Sequence, residues 1–296
     1  MRAICRALDL TVQIREVPRP EITAGHVLVK VHACAINPGD KAWLAGAIPG
    51  APESLHDIAG VSGAGEVITL GNGVPPRYQG KKVAFYRSLK FSDHLVGTWS
   101  EYAQLHYLHC VILPDDANLE EYCGSLVNVI TPYAFWKQVI EAGSPGIICT
   151  AGTSATGRAM IGVCKTKDLP CLALVRKTSD IQSLETLGAT QVLALDAANF
   201  EHELETLAAK LGAIAVFDGV GGETLSRVAP FLPQGASIYA YGFLGGNQPF
   251  CIQTSQILIK GLHISGFGNF VSATVQDNAW SKSPRRYQQH HSLAAF

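Results

Sequence analysis

The second half of the chain alternates short apolar runs with segments in which apolar residues recur every three or four positions. This alternation predicts β-strands that alternate with helices. Each predicted strand is short and almost continuously apolar, which is typical of a parallel sheet covered by helices on both faces. The pattern predicts an α/β fold with a doubly wound parallel sheet and a ligand crevice at the carboxyl ends of its strands. The predicted strands are 146–150, 171–175, 191–195, 213–217 and 236–241.

The first of these strands opens into a turn of small residues, Ala151–Gly157, which a helical pattern follows. Such a turn leaves backbone N–H groups unpaired at the helix N-terminus, where a phosphate can bind. Gly152 and Gly157 have no Cβ, so a diphosphate can approach the backbone. Ser154 replaces the middle glycine of the G-x-G-x-x-G pattern, and a turn without ligand is the alternative. We predict a dinucleotide site that contains six turn residues: Gly152, Thr153, Ser154, Ala155, Thr156 and Gly157.

A pair of basic residues, Arg176 and Lys177, ends the next predicted strand. A site for NAD usually has an acidic residue at this point, which binds the ribose hydroxyls. A cation there instead suits the 2′-phosphate of NADP, so the sequence predicts NADPH as the cofactor. The alternative is an ordinary solvated strand end. Further cofactor contacts are predicted where later strands end, at Val220, Gly242, Phe243 and Leu244.

Residues 1–124 show strand signals with glycine and proline between them and few helical patterns. Segment 27–33 alternates in part, as a half-buried strand does, and segment 58–67 carries glycines of the kind found where strands bend sharply. Segments 83–86 and 100–103 are further predicted strands. The pattern predicts a β-rich, barrel-like domain that precedes the nucleotide-binding one.

Composition narrows the classes of function. The 296 residues suffice for two domains, and a net charge of −1 offers no electrostatic footprint for nucleic acid. No apolar run approaches the ~18 residues of a membrane helix, and no stretch resembles a secretory signal. The eight cysteines are scattered without a C-x-x-C pair, which is typical of buried thiols in a reducing compartment. We expect a cytoplasmic protein with a small-molecule substrate and neither a nucleic-acid nor a membrane partner.

Several short motifs, in a fixed order along the chain, carry a resemblance to a known family. They are the segments 25–31, 35–40, 59–61, 80–83, 97–102, 127–133, 151–157, 187–189 and 217–222. With these motifs the chain resembles the medium-chain dehydrogenase/reductase superfamily, in its zinc-independent, quinone-oxidoreductase-like branch. The resemblance implies a GroES-like substrate domain over residues 1–124 and a Rossmann NADP-binding domain over residues 125–270, with the active site in the cleft between them. It also implies that Asn37 and Thr131 lie beside the nicotinamide and its ribose.

A catalytic zinc is not expected. The three ligand positions of zinc-using members correspond here to Asn37, to His56 and to a position near Val127 or Asn128, with Cys123 close by but out of register. One imidazole among three positions cannot hold Zn²⁺ in a tetrahedral catalytic site. We predict no metal and a hydrogen-bonded His56; a zinc-type alcohol dehydrogenase is the alternative.

Without a metal to polarise a carbonyl, hydride transfer needs an acceptor that is already electron-poor, such as a quinone or an α,β-unsaturated carbonyl. Asn37 is the predicted catalytic residue, as a hydrogen-bond donor to the substrate oxygen. Asp40 is predicted to cap a short helix over 41–44. Enoyl-thioester reductases of the superfamily carry a tyrosine shortly after this turn, and segment 45–50 has none, which speaks against that activity.

The resemblance ends near residue 270. Segment 271–296 is polar and lacks periodicity, so we expect a disordered tail and a truncated or altered C-terminus. Relatives pair the strand that corresponds to 262–266 across a two-fold axis, which implies a homodimer. The altered tail keeps open a second function, that of an NADPH-binding protein with little or no catalysis.

Overall fold

The structure is a computed structural model that describes residues 1–47, 54–86, 97–246, 248–268 and 272. These residues form two compact units, the first over Met1–Val127 and the second beginning at Asn128. The division falls within one helix, Ser125–Glu141, whereas the sequence analysis placed it after residue 124. Almost all of the tail 271–296 lies outside the described residues.

The first unit is built mainly from antiparallel strands. They are β1 (Arg2–Arg6), β2 (Val12–Glu16), β3 (His26–Cys34), β4 (Ser62–Leu70), β5 (Lys82–Tyr86), β6 (Tyr102–His106) and β7 (Cys110–Ile112). β1 and β2 form a hairpin, and the other five form one sheet in the order β6-β3-β4-β5-β7. Two short α-helices belong to the same unit, α1 (Pro38–Leu44) and α2 (Leu119–Tyr122). The β-rich domain predicted for this half is confirmed.

Glycines in β4 let it lie very close to β3. A Cβ on Gly65 would overlap the carbonyl oxygen of Lys30, and one on Gly63 would lie 2.8 Å from that of Ala33. The pairing of the two strands shifts register twice. These positions therefore require glycine, because the neighbouring backbone occupies the space of a side chain.

Two element boundaries differ from the sequence prediction. β4 begins at Ser62 rather than at 58, because Gly60 adopts φ +89° and interrupts the extended backbone. α1 begins at Pro38, earlier than predicted, with Asn37 as its N-cap. Asp40 lies inside the first turn, where its carboxylate accepts a hydrogen bond from the Asn37 backbone N–H at 2.7 Å. Asp40 therefore takes part in capping as the third residue of the helix and is not the residue that precedes it.

The second unit is a parallel sheet with helices on both faces. Its strands are β8 (Gly146–Cys149), β9 (Cys171–Val175), β10 (Gln191–Ala194), β11 (Ala213–Asp218), β12 (Ser237–Ala240) and β13 (His263–Gly266). Its helices are α3 (Ser125–Glu141, from Asn128 onward), α4 (Ala155–Thr166), α5 (Ile181–Leu187), α6 (Phe200–Leu211), α7 (Gly222–Val228) and α8 (Thr254–Lys260). The strand order β10-β9-β8-β11-β12-β13 is that of doubly wound dinucleotide-binding folds, with its switch point between β8 and β11. The predicted fold class is confirmed.

Each face of this sheet has its own apolar cluster. On one face, Phe135 of α3, Met160 of α4 and Leu184 of α5 pack against the strands. On the other, Phe200 of α6 and Leu225 of α7 do so. Because alternate residues of each central strand enter opposite clusters, these strands are apolar throughout. In the part of the chain that the structure describes, no helix is both long and apolar enough to cross a bilayer.

Three histidines of the first unit lie together near β3, β6 and the start of β7. The ring centroids of His26 and His106 are 5.4 Å apart, and those of His106 and His109 are 5.8 Å apart. His109 is only 2% exposed, and burial, with His106 and His26 adding to it, lowers its pKa to about 3. Burial and His26 also lower the pKa of His106. The folded unit therefore favours the neutral imidazole at His106 and at His109.

We expect the protein to lose stability as the pH falls below about 6.5, because unfolding lets His109 take up a proton that the folded state refuses. As the pH falls from mildly basic to mildly acidic, protonation of His109 in the unfolded chain should lower the free energy of unfolding by about 1 kcal/mol. Urea titrations at a mildly basic and at a mildly acidic pH measure the free energy of unfolding. Its pH dependence should be smaller for His109→Gln than for the wild type. His202→Gln, at an exposed position of α6, is the control and should match the wild type. Equal pH dependence in wild type and His109→Gln would contradict the lowered pKa.

Candidate functional site

The glycine turn lies at the switch point of the sheet. β8 ends at Cys149, and the chain passes through residues 150–154 into α4. The Ser154 hydroxyl accepts a hydrogen bond from the Gly157 N–H at 2.9 Å and donates one to the Ala151 carbonyl at 2.8 Å. Ser154 is therefore the N-cap of α4, and its side chain folds back onto the helix end instead of projecting from the turn.

The two glycines of the turn press against neighbouring backbone. A Cβ on Gly157 would overlap the carbonyl oxygen of Ala151, and one on Gly152 would lie 3.0 Å from that of Leu174 in β9. The Gly152 N–H donates to the same Leu174 carbonyl at 3.1 Å. On the side that faces Leu174 and Ala151, the turn is therefore packed against backbone. Its other side leads to the N-terminus of α4, whose first N–H groups have no acceptor within the helix. This arrangement fits a phosphate group.

A buried carboxylate ties the ends of β8 and β11 together. The Thr150 hydroxyl donates to Asp218 Oδ1 at 2.6 Å and accepts from the Gly219 N–H at 3.1 Å. Asp218 also accepts from the backbone N–H groups of Val220, at 3.3 Å, and Gly221, at 3.1 Å. Burial raises the pKa of Asp218, and the hydrogen bonds from Thr150 and the backbone oppose that rise. The loop after β11 is thereby held against the end of β8.

The segment after β12 runs beside that loop. The Leu244 N–H donates to the Gly219 carbonyl at 2.9 Å, and the Gly245 N–H donates to that of Val220 at 3.0 Å. Phe243 and Leu244 are about half exposed. The structure thus brings four of the predicted contacts to the carboxyl edge of the sheet: Val220, Gly242, Phe243 and Leu244.

The basic pair after β9 is exposed. Arg176 and Lys177 follow the strand directly, and neither forms an ion pair with any residue that the structure describes. The Thr178 hydroxyl donates to the Asp196 carboxylate at 2.8 Å, which fixes the chain just beyond the pair. Because β9 is the neighbour of β8, both cations lie at the edge that carries the glycine turn.

The remaining predicted contacts of the second unit lie on or near α4 and α3. Thr153 and Ala155 are exposed at the turn. Thr156, in the first turn of α4, donates its hydroxyl to Asn128 Oδ1 on α3 at 2.9 Å. Thr131 is half-buried farther along α3. The hydrogen bond from Thr156 fixes the start of α4 to α3.

Asn37, in the first unit, does not present the group that the sequence analysis assigned to it. It is 8% exposed, and its Nδ2 donates to Asp40 Oδ2 at 3.0 Å and to Ser62 Oγ at 3.2 Å. Because a carboxylate only accepts, the amide nitrogen must face Asp40, and both of its hydrogens are engaged. The predicted role as a donor to a substrate oxygen is not available in this arrangement.

The side chains considered for zinc do not form a metal site. His56 is exposed, its backbone adopts φ +57°, and its carbonyl accepts from the Arg15 guanidinium at 2.8 Å. The Cys123 thiol donates to the Glu120 carbonyl at 3.1 Å, at the end of α2. Among the described residues, no group of three or more His, Cys, Asp or Glu side chains is arranged to hold a metal ion.

Comparisons with known proteins show what the chain is similar to. Residues 23–115 match the family model of the alcohol dehydrogenase GroES-like domain. The mitochondrial enoyl-[acyl-carrier-protein] reductase of Saccharomyces cerevisiae is 28% identical over 277 residues, covering 84% of this chain and 70% of that protein. The NADPH quinone oxidoreductase of Kluyveromyces marxianus is 27% identical over 269 residues, covering 81% and 67%. A Mesorhizobium loti structure provisionally named as an NADPH:quinone reductase matches with a TM-score of 0.78 and 26% identity, over 100% of this chain and 82% of that one.

The resemblance to the medium-chain dehydrogenase/reductase superfamily is confirmed: residues 23–115 match its GroES-like domain, and the similar proteins are reductases over about four fifths of this chain or more. The similar proteins are named as reductases or oxidoreductases, which supports an oxidoreductase with a nicotinamide cofactor. The dehydrogenase/reductase fold predicted from the sequence, a GroES-like domain followed by a Rossmann domain, is confirmed.

Sequence reasoning missed three residues that shape the site of this dehydrogenase/reductase: Thr150, Asp218 and Tyr241. The first two carried a usable signal, because each is a polar residue at the carboxyl end of an apolar strand and such ends meet in a parallel sheet. Tyr241 stacks on Phe217, with ring centroids 3.9 Å apart. A single aromatic residue after a strand does not by itself indicate this contact.

Proposed function

We propose that the chain is an NADPH-dependent reductase that transfers hydride to an electron-poor acceptor, a quinone or an α,β-unsaturated carbonyl. One observation carries the proposal: a cradle for a diphosphate at the β8–α4 turn lies one strand from two exposed cations. Relatives named for NADPH quinone oxidoreduction and for enoyl-[acyl-carrier-protein] reduction support it.

Different residues of the second unit would bind different parts of the cofactor. The turn residues 152–157 would bind the diphosphate through backbone N–H groups. Arg176, with Lys177 beside it, would bind the 2′-phosphate, because a guanidinium forms two parallel hydrogen bonds to phosphate oxygens. The remaining contacts would hold the nicotinamide end: Thr131, Val220, Gly242, Phe243 and Leu244. When bound, NADPH supplies a hydride at its nicotinamide ring.

The class of acceptor follows from the chemistry that hydrogen bonds can support. Quinones and enones spread the negative charge over a conjugated system when hydride arrives, so modest hydrogen-bond donation suffices. Enoyl thioesters share this property, and the yeast relative is named for such a reaction. Segment 45–50 has no tyrosine, which favours quinones and enones; its residues 48–50 lie outside the described part of the chain. Asn37 would contribute as an acceptor for a ligand hydroxyl.

The relatives are named as reductases, so they do not favour a binding protein without catalysis or a zinc-type alcohol dehydrogenase. The cytoplasmic location stays a prediction, because the yeast relative is named as mitochondrial.

We expect the protein to oxidise NADPH when benzoquinone or methyl vinyl ketone is added, and not when a saturated aldehyde is added, because only conjugated acceptors delocalise the arriving charge. The fall in NADPH absorbance measures the rate, and a crotonyl thioester belongs in the same panel. Adding EDTA should leave the rate unchanged. Absence of turnover with every conjugated acceptor, or its loss on chelation, would refute the proposed mechanism.

Arg176→Asp should weaken NADPH binding by about ten- to a hundredfold and leave NADH binding nearly unchanged, because it removes a charge-assisted hydrogen bond to the 2′-phosphate and adds repulsion. Fluorescence titrations with both nucleotides measure the effect. Lys210→Asp, at an exposed position of α6, is the matched control and should bind NADPH as the wild type does. If NADPH affinity is unchanged, or both nucleotides lose affinity equally, the 2′-phosphate binds elsewhere.

We also propose a homodimer through the β13 edge of the parallel sheet. Among the described strands β13 pairs with β12, and all four residues of β13 are exposed. On the preceding α8, Leu258 and Ile259 are 82% and 73% exposed. A strand edge with open N–H and C=O groups, beside exposed apolar side chains, is a template for a second copy of the chain.

Ile264→Lys should convert that dimer to a monomer, because it brings a charged ammonium group into the paired edge. Light scattering coupled to gel filtration measures the mass. Ile14→Lys, at a 75% exposed isoleucine of β2, is the matched control and should remain dimeric. A monomeric wild type, or a dimeric Ile264→Lys, would show that this edge is not the interface.

A further inference from the structure

The loop that carries the two cations after β9 is tied to a single carboxylate just beyond the end of β10. Residues 176–179 are all exposed, so packing does little to hold them in place. The Thr178 backbone N–H donates to Asp196 Oδ1 at 3.0 Å, and the Thr178 hydroxyl donates to the same oxygen at 2.8 Å. In the described part of the chain, these are the only hydrogen bonds that join residues 176–179 to another element. Asp196 therefore holds the loop in its place.

The carboxylate of Asp196 accepts from neutral donors, although a cation leaves the sheet beside it. Val175 pairs with Ala194, so Arg176 and Asp196 follow neighbouring strands at the same edge. Neither cation of the loop forms an ion pair with any described residue. Because the carboxylate is directed to Thr178, both cations keep their charge available to an anion.

Two effects of this carboxylate on a bound phosphate oppose each other. A cation on an unfixed loop binds an anion weakly, because the loop loses conformational entropy when the anion binds. A loop that Asp196 already holds avoids that loss, which strengthens binding. The negative charge of Asp196, in contrast, repels a phosphate nearby and weakens binding. The two effects differ in sign, so substitutions can separate them.

We propose that Asp196 is a positioning residue for the choice of cofactor: through Thr178 it holds the loop so that Arg176 and Lys177 bind the 2′-phosphate, and it thereby favours NADPH over NADH. The inference rests on the proposed NADPH-dependent function and adds to it a residue that acts without touching the cofactor. NADH has no 2′-phosphate, so the position of the loop matters little for its binding. An acidic residue after β10 then favours the phosphorylated cofactor, whereas one at the end of β9 favours NAD.

Two substitutions of Asp196 distinguish position from charge in fluorescence titrations with NADPH and NADH. Asp196→Ala removes both hydrogen bonds from Thr178 and should weaken NADPH binding by about three- to tenfold. Asp196→Asn removes the charge but keeps an oxygen that accepts from Thr178, so it should bind NADPH at least as tightly as the wild type. Both variants should bind NADH as the wild type does. Tighter NADPH binding by Asp196→Ala would mean that the carboxylate acts by repulsion, and would overturn the inference. An equal loss for NADH in Asp196→Ala would overturn it too, because a general defect of the fold would then explain the result.

A smaller ligand and a matched variant complete the test. Adenosine 2′-monophosphate carries the phosphate without the nicotinamide half, so its affinity should fall in Asp196→Ala by the same factor as that of NADPH. An unchanged affinity for this ligand would overturn the inference. Asp180→Ala is the matched control, because it removes a carboxylate that makes no capping hydrogen bond at the start of α5; it should bind NADPH at least as tightly as the wild type. A wild type without preference for NADPH over NADH would reject the proposed cofactor and this inference together, whereas a preference that Asp196→Ala retains in full rejects the inference alone.

Discussion

The hydrogen bond from Thr150 to the buried carboxylate of Asp218 joins the two strands between which the sheet has its switch point. On one side it holds the residue that leads into the glycine turn. On the other, Asp218 gathers the N–H groups of the following loop, including that of Gly221. A buried carboxylate is costly unless it accepts hydrogen bonds. Because the loop supplies them to Asp218, few other conformations are open to this loop. The shape of the site is thus set by the strand ends before any ligand arrives.

The parallel sheet was predictable because its central strands are buried on both faces. Ile147 and Ile148 enter opposite apolar clusters, so the strand that contains them is apolar at every position. The antiparallel unit gave weaker signals. The predicted start of β4 was too early because the backbone conformation of Gly60 depends on its tertiary contacts. The sequence of residues 58–67 alone does not show where the extended backbone is interrupted.

The parts of the candidate site that are contiguous in the chain can be nominated from the sequence, and their role stays a prediction. The turn 151–157 and the pair Arg176 and Lys177 directly follow strands, so local pattern suffices to nominate them. The orientation of Asn37 was not predictable, because Ser62, far away in sequence, takes one of its amide hydrogens. The reach of Tyr241 depends in the same way on Phe217 of another strand. Side-chain orientation is a property of long-range packing, which periodicity does not encode.

The inward fold of the Ser154 side chain has a consequence for how such proteins are recognised. A pattern search that demands glycine at this position rejects the chain, although the Ser154 side chain folds back onto the helix end, where its hydroxyl is bonded to Gly157 and Ala151. An anion at this turn binds to backbone N–H groups, so it needs a side chain that does not cover them. A serine whose hydroxyl is hydrogen-bonded to the helix end meets that requirement. Nucleotide-binding folds with serine at this point therefore deserve inclusion when new members are sought by motif.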